Sequence, residues 1–327
     1  MRPYPLVMTP MLIPKVWGGR ALASLNKPLP PGEPIGESWE LADLASTSAD
    51  GAGGLEARSM IANGEMRGLT LRDAITAMGD NLMGDLRLTE RGGFPLLLKY
   101  LDARTNLSVQ VHPSPAYARE HPEAHLKTES WYIVDAQPGA MLYIGLPEGT
   151  TEAQLASAIR SETVGDLLIR IPARPGDCHT LPSGTLHALG GGVLVAEVQT
   201  PSDTTFRVFD WGRSGRTLHI DEAMRCIDLA PLEPEHSRSA MDRGPLADTE
   251  HYSIVHERWM DPTTVAFDAQ RPTILMCLDG VASLEDETGA ATPVRKGDTV
   301  LLPSIVDTLT IEPDGELDAL VVEFPES

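Results

Sequence analysis

Between Leu167 and Thr200 no stretch of one character lasts long. LLIRIPARPGD, CHTLPSGTLHALGGG and VLVAEVQT follow one another, each short apolar run closed by Pro or Gly. Proline withholds a backbone donor, glycine admits turn conformations, and runs this short are marginal as helices but adequate as strands. Short strands that double back through tight turns bury their apolar faces by packing sheet on sheet or by closing a barrel. A doubly wound α/β fold, which needs a helix between successive strands, is excluded. The same rhythm returns after Tyr252 in TTVAFDA, TILMCLDGVASLED, TPVRKGDTVLLPSIVDTLTI and LDALVVEF. The fold class is therefore mainly β.

Two of these turns resemble each other. Lys296-Gly297-Asp298-(x)4-Pro303 echoes Pro175-Gly176-Asp177-(x)4-Pro182, and the second copy lacks a histidine equivalent to His187. We read two related β-barrels (jelly rolls) with a few short peripheral helices. The first, residues 1–230, carries a polar pocket; a Pro-, Glu- and Ser-rich linker spans 231–249; the second, 250–327, has no metal site. Thr70–Leu86 has helical apolar spacing with Thr70 as N-cap and Asp73 three residues later. Thr150–Ile159 and 221–230 predict two more short helices, and 114–126 a loop with one helical turn. Near the N-terminus Trp17 and Trp39 read as packing residues, with Glu37 and Glu40 as rim charges.

Net charge is −21, which argues against nucleic acid and anionic membrane surfaces as partners. Any phosphorylated ligand then needs a local cluster of Lys and Arg. Three widely spaced cysteines (Cys178, Cys226, Cys277) suggest neither a disulfide framework nor a thiolate zinc motif. No apolar run is long enough to span a bilayer, and MRPYPLVMTP lacks a signal-peptide pattern, so a cytoplasmic protein is expected.

The chemistry concentrates in residues 96–131. Leu107, Val109 and Val111 alternate with Ser108, Gln110 and His112, so a hydroxyl, an amide and an imidazole share one face of a strand. Gly176 to His187 follows G-x5-P-x-G-x2-H, the second cupin motif without its closing Asn; the turn at Pro182 and Gly184 delivers His187 into a barrel interior. Where the first cupin motif has His-x-His, this chain has Gln110-x-His112, and Glu129 follows after an inserted loop. Gln110, His112, Glu129 and His187 together offer two nitrogen and two oxygen donors. That set suits Zn²⁺, with Fe(II) and Mn(II) chemically open. His121, His125, His219, His236, His251 and His256 have no matching partners in the sequence, and His179 ranks below the four donors.

FPLLLKYLDARTNLSVQVHP, KTESWYIV, LPSGTLHALG and EVQTPSDTTFRVFDWGR closely resemble the type I mannose-6-phosphate isomerases in their short bacterial form. The resemblance runs through roughly residues 1–325 and is strongest in 94–134 and 176–220. It implies that Gln110, His112, Glu129 and His187 bind one zinc ion per chain. It further implies that Lys127, Glu197, Asp203 and Arg207 are catalytic and that Ser108 and Lys99 line the phosphate side. The implied substrate partner is a small sugar phosphate, and the implied reaction is interconversion of mannose 6-phosphate and fructose 6-phosphate through a cis-enediol.

Moving a proton between C2 and C1 requires an acid and base near both carbons and positive charge for the developing oxyanion. Arg207 and Lys127 offer such charge. The base stays open among Glu197, Asp203, Lys127 and a water on the metal. Alternatives from other classes are a non-catalytic sugar-binding bicupin, an isomerase of an unphosphorylated sugar, and an Fe(II) dioxygenase. Gln110 speaks against the last, since oxygen-activating sites favour His and carboxylate ligands.

Overall fold

The structure, a computed structural model, describes residues 3–240 and 243–325. It is mainly β, with short helices at the periphery. Two antiparallel sheets form the N-terminal body. A seven-stranded sheet runs Ser237–Arg238, Cys178–Leu181, Glu129–Ala136, Val193–Gln199, Leu97–Ala103, Ile35–Leu41, Met11–Gly19. A five-stranded sheet runs Arg170–Pro172, Met141–Ile144, His187–Leu189, Val109–Val111, Phe206–Phe209. Leu101, Trp131, Ile133 and Val195 of the first meet Leu142, Ile144 and Leu189 of the second in one buried cluster.

The larger sheet is buried on both faces. Its opposite side, with Leu98, Tyr100, Tyr132, Ala196 and Val198, packs on Ile254, Ile274, Met276 and Leu320 of a third, nine-stranded sheet. This explains why FPLLLKYL and VLVAEV read as nearly continuous apolar runs instead of clean alternations: a sheet covered on both sides has no water-facing residues to vary. The third sheet has its own interior of Trp259, Leu275, Leu284, Val300 and Val321. Its strands come mostly from the C-terminal half, but Leu6–Thr9 pairs with Thr299–Leu302 and with Met60–Ile61.

The two echoing turns adopt one geometry. Gly176 donates to Ile133 O while Ile133 donates to Asp177 O; Gly297 donates to Cys277 O while Cys277 donates to Asp298 O. Both glycines have φ near +90° (91° and 87°), where a side chain would be strained.

Three expectations need correction. The helix expected over Thr70–Leu86 begins as foreseen, with a reciprocal capping box between Thr70 and Asp73, but it breaks. Gly79 at φ 52° ends Leu71–Met78 and starts a separate turn, Asp80–Met83, because that dihedral lies outside the helical basin. Residues 231–249 are more than a linker: Ser237–Arg238 extends the seven-stranded sheet and Gly244–Asp248 pairs with Ser253–Trp259. Each of these short strands satisfies a sheet edge, a gain that composition does not signal. Glu37 and Glu40 are not rim charges. Glu40 is fully buried against Lys27 Nζ at 2.7 Å, and Glu37 faces the cleft described next.

Candidate active site

Pairing register sets the site. Trp39 opposes Lys99, Lys99 opposes Glu197, and Glu197 opposes Trp131 across four adjacent strands. Directly opposed residues of antiparallel strands point to the same face, so this row of two indoles, an ammonium and a carboxylate looks inward between the two N-terminal sheets. Two residues before Trp131 on the same face is Glu129, and the strand is preceded by Lys127. From the facing sheet, His187 opposes Gln110, which also opposes Arg207.

His112, Glu129 and His187 converge, all buried, with candidate ligand atoms within 4.8 Å of one another. His112 Nε2 lies 3.5 Å from Glu129 Oε2, and His187 Nε2 lies 3.2 Å from Glu129 Oε1. Ligand atoms held about 2.1 Å from a tetrahedral metal are separated by roughly 3.4 Å, so this spacing fits one ion. His112 Nδ1 sits 2.8 Å from the Thr204 carbonyl and His187 Nδ1 2.8 Å from that of Thr185. A carbonyl can only accept, so each imidazole donates from Nδ1 and turns the Nε2 lone pair inward. Among the described residues His112 Nε2 and Glu129 Oε1 find no hydrogen-bond donor, a costly arrangement unless a cation joins them, while Glu129 Oε2 faces the Lys127 ammonium.

Electrostatics point the same way. Burial pushes the His187 imidazole down to about 4, with Glu129 opposing, so it is neutral at physiological pH. Burial, assisted by Lys127, also lowers His112. Burial alone would raise the Glu129 carboxyl, but Lys127, His112 and His187 outweigh it and hold it well below the usual carboxylate range. The fourth expected ligand, Gln110, approaches His187 Nε2 to 3.4 Å through its amide nitrogen, while its oxygen accepts from Ser108 Oγ at 2.9 Å. Half a turn of the amide exchanges the two atoms, and a hydroxyl serves either as partner. The donor set present therefore suits zinc.

Beside the triad opens a cleft of about 390 Å³, lined by Lys99, Ser108, Gln110, Lys127, Glu197, Asp203 and Arg207 among others. Every residue expected to be catalytic or to line the phosphate side thus borders one space. Lys127 Nζ is 2.6 Å from Glu129 Oε2 and 4.0 Å from Glu197 Oε1. Burial disfavours its charge, but the two carboxylates more than offset that and push its pKa up. Glu197 accepts from Trp131 Nε1 at 3.1 Å and lies 3.4 Å from Lys99 Nζ. Burial raises its carboxyl against the pull of Lys127 and Lys99. Arg207 donates to Thr217 O at 2.8 Å and to Asp50 Oδ2 at 3.1 Å, while its Nε has no partner. Asp203 Oδ2 accepts from the Ser48 backbone at 2.5 Å, tying the 48–54 segment to the cleft.

Four charged residues of the cleft lining escaped the sequence reading as site residues: Lys15, Glu37, Asp50 and Arg216. Lys15 and Glu37 each stand two residues before an inward Trp, so strand alternation could have found them. Glu37 accepts from Trp39 Nε1 at 2.6 Å and lies 3.3 Å from Lys15 and 3.6 Å from Lys99. Burial works against its charge, yet Lys15 and Lys99 bring its pKa down to about 2. Asp50 and Arg216 sit in irregular segments and carry no periodic signal. His219, set aside on sequence, also lines the cleft, its Nδ1 near the Arg207 backbone. His179 shares the Trp131 row but bonds Ser237 Oγ at 2.9 Å, outside the cleft lining.

Similar proteins bear on this geometry. The family model "Phosphomannose isomerase type I, catalytic domain" matches residues 6–146. Mannose-6-phosphate isomerase ManA of Bacillus subtilis is 32% identical over 314 residues, covering 93% of this chain and 94% of that protein. The crystal structure of a mannose 6-phosphate isomerase from Bacillus subtilis superposes with a TM-score of 0.81 at 29% identity, across 98% of this chain and 99% of that one. A mannose 6-phosphate isomerase bound with zinc and yttrium shares the fold, with a TM-score of 0.73 at 18% identity over 98% of this chain and 100% of that chain. With identity above 30% sustained along nearly the whole length, the chain belongs to the type I phosphomannose isomerase family.

Proposed function

We propose that this protein is a zinc-dependent isomerase interconverting mannose 6-phosphate and fructose 6-phosphate by proton transfer between C1 and C2. The observation that carries the reading is the union of two features at one place: a buried His112–Glu129–His187 triad whose ligand atoms converge inward, and a cleft at its side holding both fixed cations and a desolvated carboxylate. A surface binding module needs neither.

His112, Glu129 and His187, with Gln110 as an amide donor, would hold one zinc ion per chain. Bound there, zinc supplies Lewis-acid stabilisation of charge on the sugar oxygens. The remaining work falls to the chain's own groups. Glu197, buried and raised, is suited to accept a proton from carbon, because a carboxylate is a better base when its conjugate acid is weaker. Lys127, wedged between two carboxylates, keeps its proton and offers fixed charge or a donor to the substrate oxygens. Arg207 adds a second fixed charge. Each such preorganised donor is typically worth about 2.7–4 kcal/mol of barrier. Asp203 positions the 48–54 segment through Ser48. Trp17, Trp39 and Leu101 exclude water from the inner wall.

For the phosphate, Lys99 comes from the seven-stranded sheet, Ser108 and Arg207 from the facing five-stranded sheet and its approach, and Arg216 from the segment beyond it, all bordering one cleft. Their local positive field answers the net charge of −21, which would otherwise repel a dianion. The test is isomerisation of mannose 6-phosphate by metal-stripped protein with and without added Zn²⁺, beside free mannose. Zinc-restored turnover of the phosphate alone is expected. Turnover of free mannose only would move the substrate, and no turnover with zinc bound would sink the reading.

A further inference from the structure

The cations that line the cleft are not equally committed. Lys99 lies between Glu37 and Glu197, and Lys127 between Glu129 and Glu197, carboxylates that all stand on strands. Arg216 is held by both oxygens of Asp210, a residue only 4% exposed. Arg207 is different. Its guanidinium is buried, and among the described residues its Nε has no hydrogen-bond partner and the carboxylate in contact with it is Asp50, whose side chain is 52% exposed.

Asp50 belongs to a single helical turn, Ala49–Ala52, laid over the mouth of the cleft. That turn is fastened to the walls by a few polar contacts. Lys15 Nζ donates to Asp50 O at 2.5 Å and to Gly51 O at 2.8 Å, and Ser48 N donates to Asp203 Oδ2. Gly51 is seated so closely that a Cβ there would strike Asp203 Oδ2. The turn ends in Gly53 and Gly54, at φ 81° and 80° with open space around both. No residue of Ala49–Ala52 is fully buried, and only the methyl of Ala52 rests, half-buried, on the Trp39–Ala57–Leu97 cluster. Polar latches on a segment with one half-buried methyl for a core, followed by two unconstrained glycines, make an element that opens cheaply.

We infer that Asp50 is an intramolecular competitor for Arg207, and that the anionic oxygens of the substrate must displace it for productive binding. Resting on the isomerase reading above, this makes Asp50 a specificity-determining residue. A phosphate dianion or a developing enediolate replaces the lost Arg207–Asp50 pair with a charged partner of its own, whereas a neutral hydroxyl does not. Because Asp50 is half exposed, the pair it forms is weak enough to exchange.

The experiment compares wild-type zinc enzyme with Asp50→Asn, the amide keeping the side chain's size while removing its charge. Expected is a rise in kcat/KM for mannose 6-phosphate of roughly two- to fivefold, the range set by a partly exposed ion pair. A fall confined to KM would assign the displaced contact to the phosphate, and a rise confined to kcat to the enediolate; both support competition. Hydrogen exchange at the amides of 48–54 should also quicken in Asp50→Asn, and in wild type on saturation with substrate. Unchanged or lower kcat/KM in Asp50→Asn, with wild type active, overturns the competitor role alone. Absence of turnover by zinc-loaded wild type would overturn the isomerase reading and this inference together, and the two failures are therefore separable.

Discussion

Lys127 Nζ lies 2.6 Å from Oε2 of Glu129, which opens the strand two residues later, so a permanent cation stands beside a candidate metal-ligand carboxylate. The arrangement draws the carboxylate's charge toward the cleft while leaving Oε1 toward His187. Lys127→Met removes that cation without removing a ligand. Zinc stoichiometry by elemental analysis should stay at one per chain, while kcat falls by about 10²–10⁴, the range for a positioned proton-transfer or charge-stabilising group. Retained activity would remove Lys127 from the reaction.

His187 couples a neutral ring to an inward lone pair through Thr185 O. Replacement by Ala takes away one of three converging donors. Zinc affinity, measured by competition with a chelator, should drop by at least about 100-fold, beyond the 10–100-fold loss seen when only a supporting group is changed. A smaller loss would mean that the ion is held elsewhere.

Glu37 gives the protein a pH signature. Its pKa in the folded chain is about 2, below the ordinary carboxylate value, because Lys15 and Lys99 face it. A group depressed by folding contributes stability that is present above its unfolded pKa, near 4.5, and is lost as pH falls toward 2. In urea titrations of metal-free protein, the stability gap between wild type and Glu37→Gln should be widest above pH 4.5, on the order of 3 kcal/mol at most, and should close toward pH 2. A pH-independent gap would show that Glu37 acts through shape instead of charge.

Lys27 and Glu40 form an ion pair with side chains only 4% and 1% exposed, joined by Ser38 to Glu40 at 2.6 Å and by Lys27 to Gly297 O. It pins the N-terminal segment to the repeat turn of the third sheet. Lys27→Met alone leaves a buried carboxylate without its cation and should cost about 3–5 kcal/mol in unfolding free energy. Lys27→Met combined with Glu40→Leu should recover most of that loss, since an apolar pair of similar volume replaces a desolvated ionic one. Equal instability of the single and double variants would show that the loss comes from packing.

The correspondence between sequence and structure is uneven for identifiable reasons. Ser108, Gln110 and His112 were legible because strand alternation is local: residues two apart share a face whatever the strand packs against, whereas Glu129 was legible through the motif and Lys127 only through the family resemblance. His187 was legible because Pro182 and Gly184 fix its turn. The capping box at Thr70 was legible for the same reason, since its partners lie within one helical turn. The break at Gly79 was not, because a lone glycine in a helical pattern is more often tolerated than used as a stop.

By itself the sequence determined that short strands would pack as sheets and that a hydroxyl, an amide and an imidazole would face a common interior. Both follow from backbone geometry and side-chain periodicity, which act over a few residues. Only the tertiary structure decided that Glu37 and Lys15 belong to the cleft, that Glu40 is buried, that 231–249 contributes strands, and that Asp50 reaches Arg207 across 157 positions of chain. Those outcomes depend on which strand lies beside which and on what covers each face. A charge near a tryptophan reads the same on a rim as in a pocket until the opposing sheet arrives to exclude the water.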